Sequence, residues 1–206
     1  LASTSPRRHE LLTLLGLPFD VVAPPFVERV MPNMSAEQQA VEFAMGKARS
    51  CVKPCPAALI LGSDTLISLG SDVLGKPADL ADAESMLRRM AGQQHKIFTA
   101  VALVGSETES CEVQTATVLV TMKPLNEEAL AAYLRTEDSL GKAGAYSIQG
   151  GGAGLIERIK GDYTAAVGFP LRIVAEMLSR RGMACPIDIN LLYARKPYPN
   201  WARFNP

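Results

Sequence analysis

Residues 57–62, AALILG, form an unbroken apolar run between Pro56 and Gly62. A run of that length and kind reads as a buried strand. Such a strand needs other elements packed over it, which directs the chain toward an α/β fold. The polar SDT, residues 63–65, follows at once. The C-terminal end of a buried strand is where α/β proteins usually gather ligands, so Asp64 is the first candidate for chemistry.

The rest of the pattern fills in such a fold. Leu11, Leu12, Leu14 and Leu15 form the apolar face of a helix that closes at Gly16, with Ser5 as N-cap and Pro6 in the first helical position. FDVVAPPF reads as a short strand broken at Pro24-Pro25. A polar loop with Glu28 follows, then a helix from about Ser35 through Lys47 and Arg49. TLISLGSDVLGKP suggests a hairpin around Gly70-Ser71-Asp72, and ADLADAESMLRRMAG a helix closed by Gly92. KIFTAVALVG and CEVQTATVLVTM alternate as two half-buried strands joined through SETES. NEEALAAYLRT and FPLRIVAEMLSRRG read as further helices, with the Gly-rich GKAGAYSIQGGGAG between them. Strands and helices alternate without the strict repeat of a doubly wound sheet. This predicts a mixed α/β sheet with flanking helices in a single domain over 1–206, its chain opening at Leu1-Ala2 inside a first strand. The tail over 183–206, rich in Pro and aromatics, is expected to pack as irregular chain.

Charge restricts the partners. The 21 Lys and Arg balance 21 Asp and Glu, so no global field draws the chain to nucleic acid or membrane, and an anion site has to be built locally. No apolar run reaches membrane-spanning length. The four cysteines, at 51, 55, 111 and 185, lack zinc-site spacing and read as reduced, structural thiols of a cytoplasmic protein. Only the tail interleaves cations, Arg195, Lys196 and Arg203, with aromatics in the manner of an RNA-binding surface, which zero net charge disfavours.

The opening LASTSPRRHELLTLLG builds a local anion site. Free amides at a helix start, the hydroxyls of Ser3, Thr4 and Ser5, and the guanidinium forks of Arg7 and Arg8 all suit a phosphate. The competing reading leaves both arginines solvated or paired with Glu10. Asp64 can bind a divalent metal or take a proton from water, or it can merely cap a turn beside Ser63 and Thr65. Glu28 and Lys76 stand in loops where solvent exposure is the default, and Lys47 on a helix where a surface lysine is. His95 reads as structural. Together, cations and carboxylates at loops and element ends suit a polyphosphate hydrolysed with a divalent metal.

LASTSPRR, GSDT, LGKP, HKIFTAVAL, KAGAYSIQGGGAGLIERIKGDY and VGFPL resemble, in order from residue 1 to about 182, the signature blocks of the Maf nucleoside triphosphate pyrophosphatases. The resemblance implies an elongated α/β fold with two lobes around a cleft, akin to the inosine triphosphate pyrophosphatases. It also implies Mg²⁺- or Mn²⁺-dependent hydrolysis of a nucleoside triphosphate to the monophosphate and pyrophosphate. By position, Asp64 matches the family's proton acceptor. Arg7, Arg8, Lys47 and Lys76 match its phosphate-contacting cations, with Ser3 and Ser5 in the same opening motif. Glu28, with Asp64, matches the acids that hold metal or water. Arg7, Thr65 and Gln149 match the residues associated with dTTP and UTP. Two departures stand out: Val27 precedes Glu28 where an acidic pair is common, and Gly141 replaces a common Asp. The tail beyond 182 is longer than the bacterial pattern and suggests a eukaryotic member. The resemblance thus implies a pyrimidine nucleotide as partner and leaves a homodimer open. The alternative is a regulatory module linked to cell division that binds the triphosphate without turning it over.

Overall fold

The computed structural model describes residues 1–105 and 110–204, so all of the SETES turn but Ser110 lies outside the described residues. Five strands form one sheet in the order β2-β1-β3-β4-β5. They span Leu59–Leu69, Asp72–Leu74, Gln94–Gly105, Cys111–Met122 and Ile156–Lys160 for β1 to β5. Each neighbouring pair is antiparallel. Among the described residues parallel pairing is confined to isolated bridges of Ala2 with Val22 and Gly62, beside the antiparallel ladders of an α/β sheet with flanking helices. The expected hairpin is present: Leu69 pairs with Asp72 across Gly70 and Ser71, with Gly70 at φ +60°.

β1 differs from its reading in the sequence in both start and end. It begins at Leu59, past Ala57 at φ +58°, and runs through the polar SDT to Leu69. The ladder continues without interruption, with Ser63 opposite Val101, Asp64 opposite Ala100 and Thr65 opposite Thr99. Asp64 is therefore mid-strand and caps no turn. The polar side chains stay in the strand because each finds a partner on its own face.

Alternation along β1 divides those faces. Ile60, with Ala100 and Ala102 of β3, packs against Ala40, Ala44 and Ala48 of α2, Ala36–Ser50. Small residues on both sides let helix and sheet approach closely, and a Cβ on Gly62 would stand 2.7 Å from the Ala48 amide nitrogen. The opposite face carries the larger core. There Leu61, Ile67, Val101 and Leu103 meet Leu11 and Leu12 of α1, Pro6–Thr13, and Leu87 and Met90 of α3, Leu80–Met90. That core also includes Leu130 of α4, Glu127–Leu134, Ala165 of α5, Tyr163–Val167, and Val174 and Met177 of α6, Leu171–Arg180. No helix among the described residues is long and apolar enough to cross a membrane.

Two expected elements change character. FDVVAPPF forms no strand beyond the single bridge at Val22, because Pro24 and Pro25 have no amide to donate to a ladder. The tail is not irregular throughout: it folds α7, Ile189–Arg195, and α8, Trp201–Phe204. Asp188 caps α7 by accepting from the Asn190 and Leu191 amides. Trp201, 1% exposed, stacks on Tyr163 at 5.9 Å and meets Tyr193 edge-on at 4.8 Å. Burial of those rings supplies the ordering energy that composition alone does not reveal. It also removes Trp201, Phe204 and Tyr198 from any surface on which nucleic-acid bases could stack.

Candidate active site

One cleft of about 900 Å³ is lined by Ser3, Ser5, Arg7, Arg8, Glu28, Lys47, Asp64, Thr65, Lys76 and Gln149. Residues spread over 147 positions of sequence thus face one space, and each gets there by a distinct local route.

α1 delivers its N-terminus uncapped. Ser5 occupies the N-cap position, but its side chain makes no capping bond; its amide instead donates to Ser3 Oγ at 3.2 Å. Pro6 follows at the first helical position, and the first turn holds no acid. The next amides are therefore open to an anion. The ion pairs of the described residues include neither Arg7 nor Arg8. Glu10, the partner considered for them, accepts instead from the Tyr198 hydroxyl at 2.6 Å. Arg8 is fixed by neutral groups: Nε donates to the Gly168 carbonyl at 3.0 Å and Nη2 to Thr65 Oγ1 at 3.3 Å. Burial pulls its affinity for the proton below the usual arginine value, opposed by Asp64.

Lys47 overturns the expectation of a surface lysine. It lies on the buried stripe of α2 with Ala40, Phe43 and Ala44, and is 8% exposed. Its Nζ bridges two carboxylates, Glu28 Oε1 at 2.6 Å and Asp64 Oδ1. Asp64 reaches it because residues 62 and 64 share the sheet face that α2 covers. The two acids respond differently to this shared cation. Burial raises Asp64 above the ordinary aspartate range, although Lys47 and Arg8 oppose the shift. Burial also works to raise Glu28, but that side chain is 48% exposed, and the bonded Lys47, with Lys76 and Arg8, holds it below the ordinary glutamate value. The two carboxylates thus differ in proton affinity, Asp64 above its ordinary range and Glu28 below its own.

Thr65 stands on the opposite face of β1. Its Oγ1 lies 3.0 Å from Thr99 Oγ1, whose own proton goes to the Ala165 carbonyl at 2.8 Å. The Thr65 proton is therefore committed to Thr99, and Arg8 donates to one of its lone pairs. Thr65 can offer a ligand only its remaining lone pair.

Lys76 lies in the loop after β2, beside Gly75, whose carbonyl accepts from the Gly144 amide at 3.0 Å. That bond ties the lysine loop to the Gly-rich loop. Gly144 at φ +67° permits the turn and brings Ile67 within 3.0 Å of where a Cβ would stand. Gln149 follows in the same loop, its Nε2 donating to the Tyr198 hydroxyl. Sequence reasoning passed over Lys142, which lines the cleft and pairs with Asp138 at 2.9 Å. A lone lysine in a glycine loop such as KAGAY carries no distinctive spacing. His95 has the structural character expected of it: 1% exposed, it meets the Tyr146 hydroxyl at 2.7 Å, and burial lowers its pKa to about 4.

A metal ion has to be matched to this donor set. Among the described residues no group of three or more His, Cys, Asp or Glu converges. Two carboxylates, Glu28 and Asp64, do face the cleft. A hard cation such as Mg²⁺ is commonly held by one or two carboxylates together with substrate phosphates, and this pair fits that pattern.

The sequence model of the family described as Maf-like protein matches residues 1–181. The chain belongs to that family. Similar proteins include the dTTP/UTP pyrophosphatase of Symbiobacterium thermophilum, 42% identical over 182 residues that cover 88% of this chain and 93% of that one. The dTTP/UTP pyrophosphatase of Escherichia coli K12 is 43% identical over 181 residues, 87% of this chain and 90% of that one. That of Gloeobacter violaceus is 41% identical over 179 residues, 87% and 93%. In this Maf-like chain the family match ends before the tail that carries Tyr198 and Trp201.

Proposed function

We propose that this Maf-like chain is a nucleoside triphosphate pyrophosphatase that converts dTTP and UTP to the monophosphate and pyrophosphate. The observation that carries the reading is the Asp64–Lys47–Glu28 bridge, set in one cleft with the uncapped start of α1 and with Arg7, Arg8 and Lys76. The names of the relatives support the same activity and the same substrates. Four free thiols among the described residues support a reducing, cytoplasmic setting.

Asp64 accepts the proton of a water as its oxygen bonds to the α-phosphorus, and the bridging oxygen leaves with pyrophosphate. Its raised proton affinity suits that role, because a general base works best when its pKa approaches the operating pH. Arg7, Arg8 and Lys76, with the α1 amides, neutralise charge on the triphosphate and on the leaving group. Lys47 keeps Asp64 ionised and oriented. When bound, Mg²⁺ or Mn²⁺ held by Glu28 and Asp64 supplies further charge neutralisation at the phosphate oxygens. Gln149 and the remaining lone pair of Thr65 face the base, where a mismatched edge leaves polar groups unpaired.

The test is pyrophosphate release by the purified chain with Mg²⁺ across dTTP, UTP, CTP, ATP and GTP. The reading expects release from dTTP and UTP above the others. Tight nucleotide binding with no release would replace it with the regulatory module.

A further inference from the structure

We infer that the C-terminal tail is a specificity element. Tyr198 and Asn200 fix the Gln149 amide with its oxygen as the acceptor for the base, favouring uracil and thymine over cytosine. The inference rests on the reading of the cleft as a pyrimidine nucleotide site.

Three side chains, Glu10, Tyr198 and Gln149, share one run of protons. The Glu10 carboxylate is an acceptor, and it takes the single proton of the Tyr198 hydroxyl at 2.6 Å. The tyrosine oxygen then has only lone pairs to offer Gln149. The amide atom bonded to it is therefore Nε2, as the geometry has it; with the amide reversed, two acceptors would confront each other. Burial and the adjacent Glu10 both push the Tyr198 hydroxyl above the ordinary tyrosine value, so the proton stays in place. One Nε2 hydrogen goes to the tail and turns that nitrogen toward Tyr198; its second hydrogen remains, and Oε1 is the acceptor that Gln149 has to offer.

The backbone is held from the same side. Asn200 Nδ2 donates to the carbonyls of Ile148 and Gln149, each at 3.0 Å. Asn200 adopts φ +62°, a left-handed conformation that asparagine tolerates, and Trp201 beside it is buried against Tyr163. The strap thus has an anchor, a backbone clamp and a side-chain relay, all lying past residue 181, where the family match stops.

An acceptor at Gln149 has a chemical consequence. N3 of uracil and thymine carries a hydrogen and can donate to it. N3 of cytosine bears a lone pair, and its approach sets two acceptors against each other at the loss of a hydrogen bond on each side.

Tyr198→Phe removes only the hydroxyl and frees the amide to turn over. The ratio of kcat/KM for UTP to that for CTP should fall about tenfold, the scale of one hydrogen bond. The change should fall mainly on KM. Glu10→Ala, at an exposed position, releases the tyrosine proton toward Gln149 and should lower the ratio in the same direction without a loss of folded protein. A purely structural contribution of the tail would lower both nucleotides together and leave the ratio unchanged. That result in both variants overturns the inference. If the unmutated chain itself releases no pyrophosphate from UTP, the pyrophosphatase reading has failed before the tail is tested.

Discussion

Lys47 is 8% exposed, and at that depth its ammonium meets two carboxylates, Glu28 and Asp64. Asp64→Asn removes the group that accepts the water's proton and should lower kcat by about 10³-fold or more with the circular dichroism of the fold unchanged. Retained turnover would take the base assignment away from Asp64. Because burial raises Asp64 above its ordinary value of 3.8, and only its ionised form is a base, kcat/KM should fall on the acid side at a higher pH than an exposed aspartate would give. Lys47→Met removes a cation that opposes this shift, so the acid limb should move to still higher pH; an unmoved limb would detach Asp64 from the titration. Arg7 and Arg8 stand out in the sequence through an unusual helix start, and Asp64 as a carboxylate directly after an apolar run, although the strand continues through it. Lys47 reads from its helix alone as a surface lysine and enters the site only through the family resemblance, though its spacing from Phe43 and Ala44 is that of one helical stripe. Its partners lie 19 and 17 residues away in sequence, and a pairing at such separation leaves no local trace.

α2 and β1 set the distance between that lysine and its aspartate. Gly62 permits the approach, since a Cβ there would meet Ala48 nitrogen at 2.7 Å and its methyl at 2.9 Å. Gly62→Ala should force the helix outward at about 1–3 kcal/mol of stability, read as a lower urea midpoint with unchanged slope. It should also reduce kcat, because Lys47 moves with the helix. Stability equal to the parent would mean that α2 has slack the packing does not suggest. The helices were legible because caps and apolar periodicity agree: Ser35 forms a full capping box with Gln38, and Gly16 and Gly92 take positive φ where α1 and α3 finish. Strand limits were less legible. SDT looked like the end of β1 because polarity suggests solvent, yet each of those side chains is satisfied across the sheet face by Gly168, Lys47 or Thr99.

At the scale of the whole molecule, segments remote in sequence meet beside one cleft. Glu10 on α1 and Tyr198 in the tail meet across 188 residues, and Tyr163 donates to the Pro199 carbonyl at 2.5 Å. Trp201→Ala should therefore cost about 3 kcal/mol or more, measured by denaturant unfolding, since a ring 1% exposed leaves a cavity among Tyr163 and Tyr193. The antiparallel order of the sheet and the folding of the tail were hidden from the sequence, because both depend on pairings between distant segments rather than on local pattern. The clustering of ten expected site residues in one space came through the family resemblance, since their individual signals are weak. What those residues are proposed to do is bring water to the α-phosphorus. Hydrolysis of UTP in ¹⁸O-water tests that claim most directly, with the products separated and weighed by mass spectrometry. The account predicts the heavy oxygen in UMP and none in pyrophosphate; label in pyrophosphate, or release of orthophosphate, would contradict it.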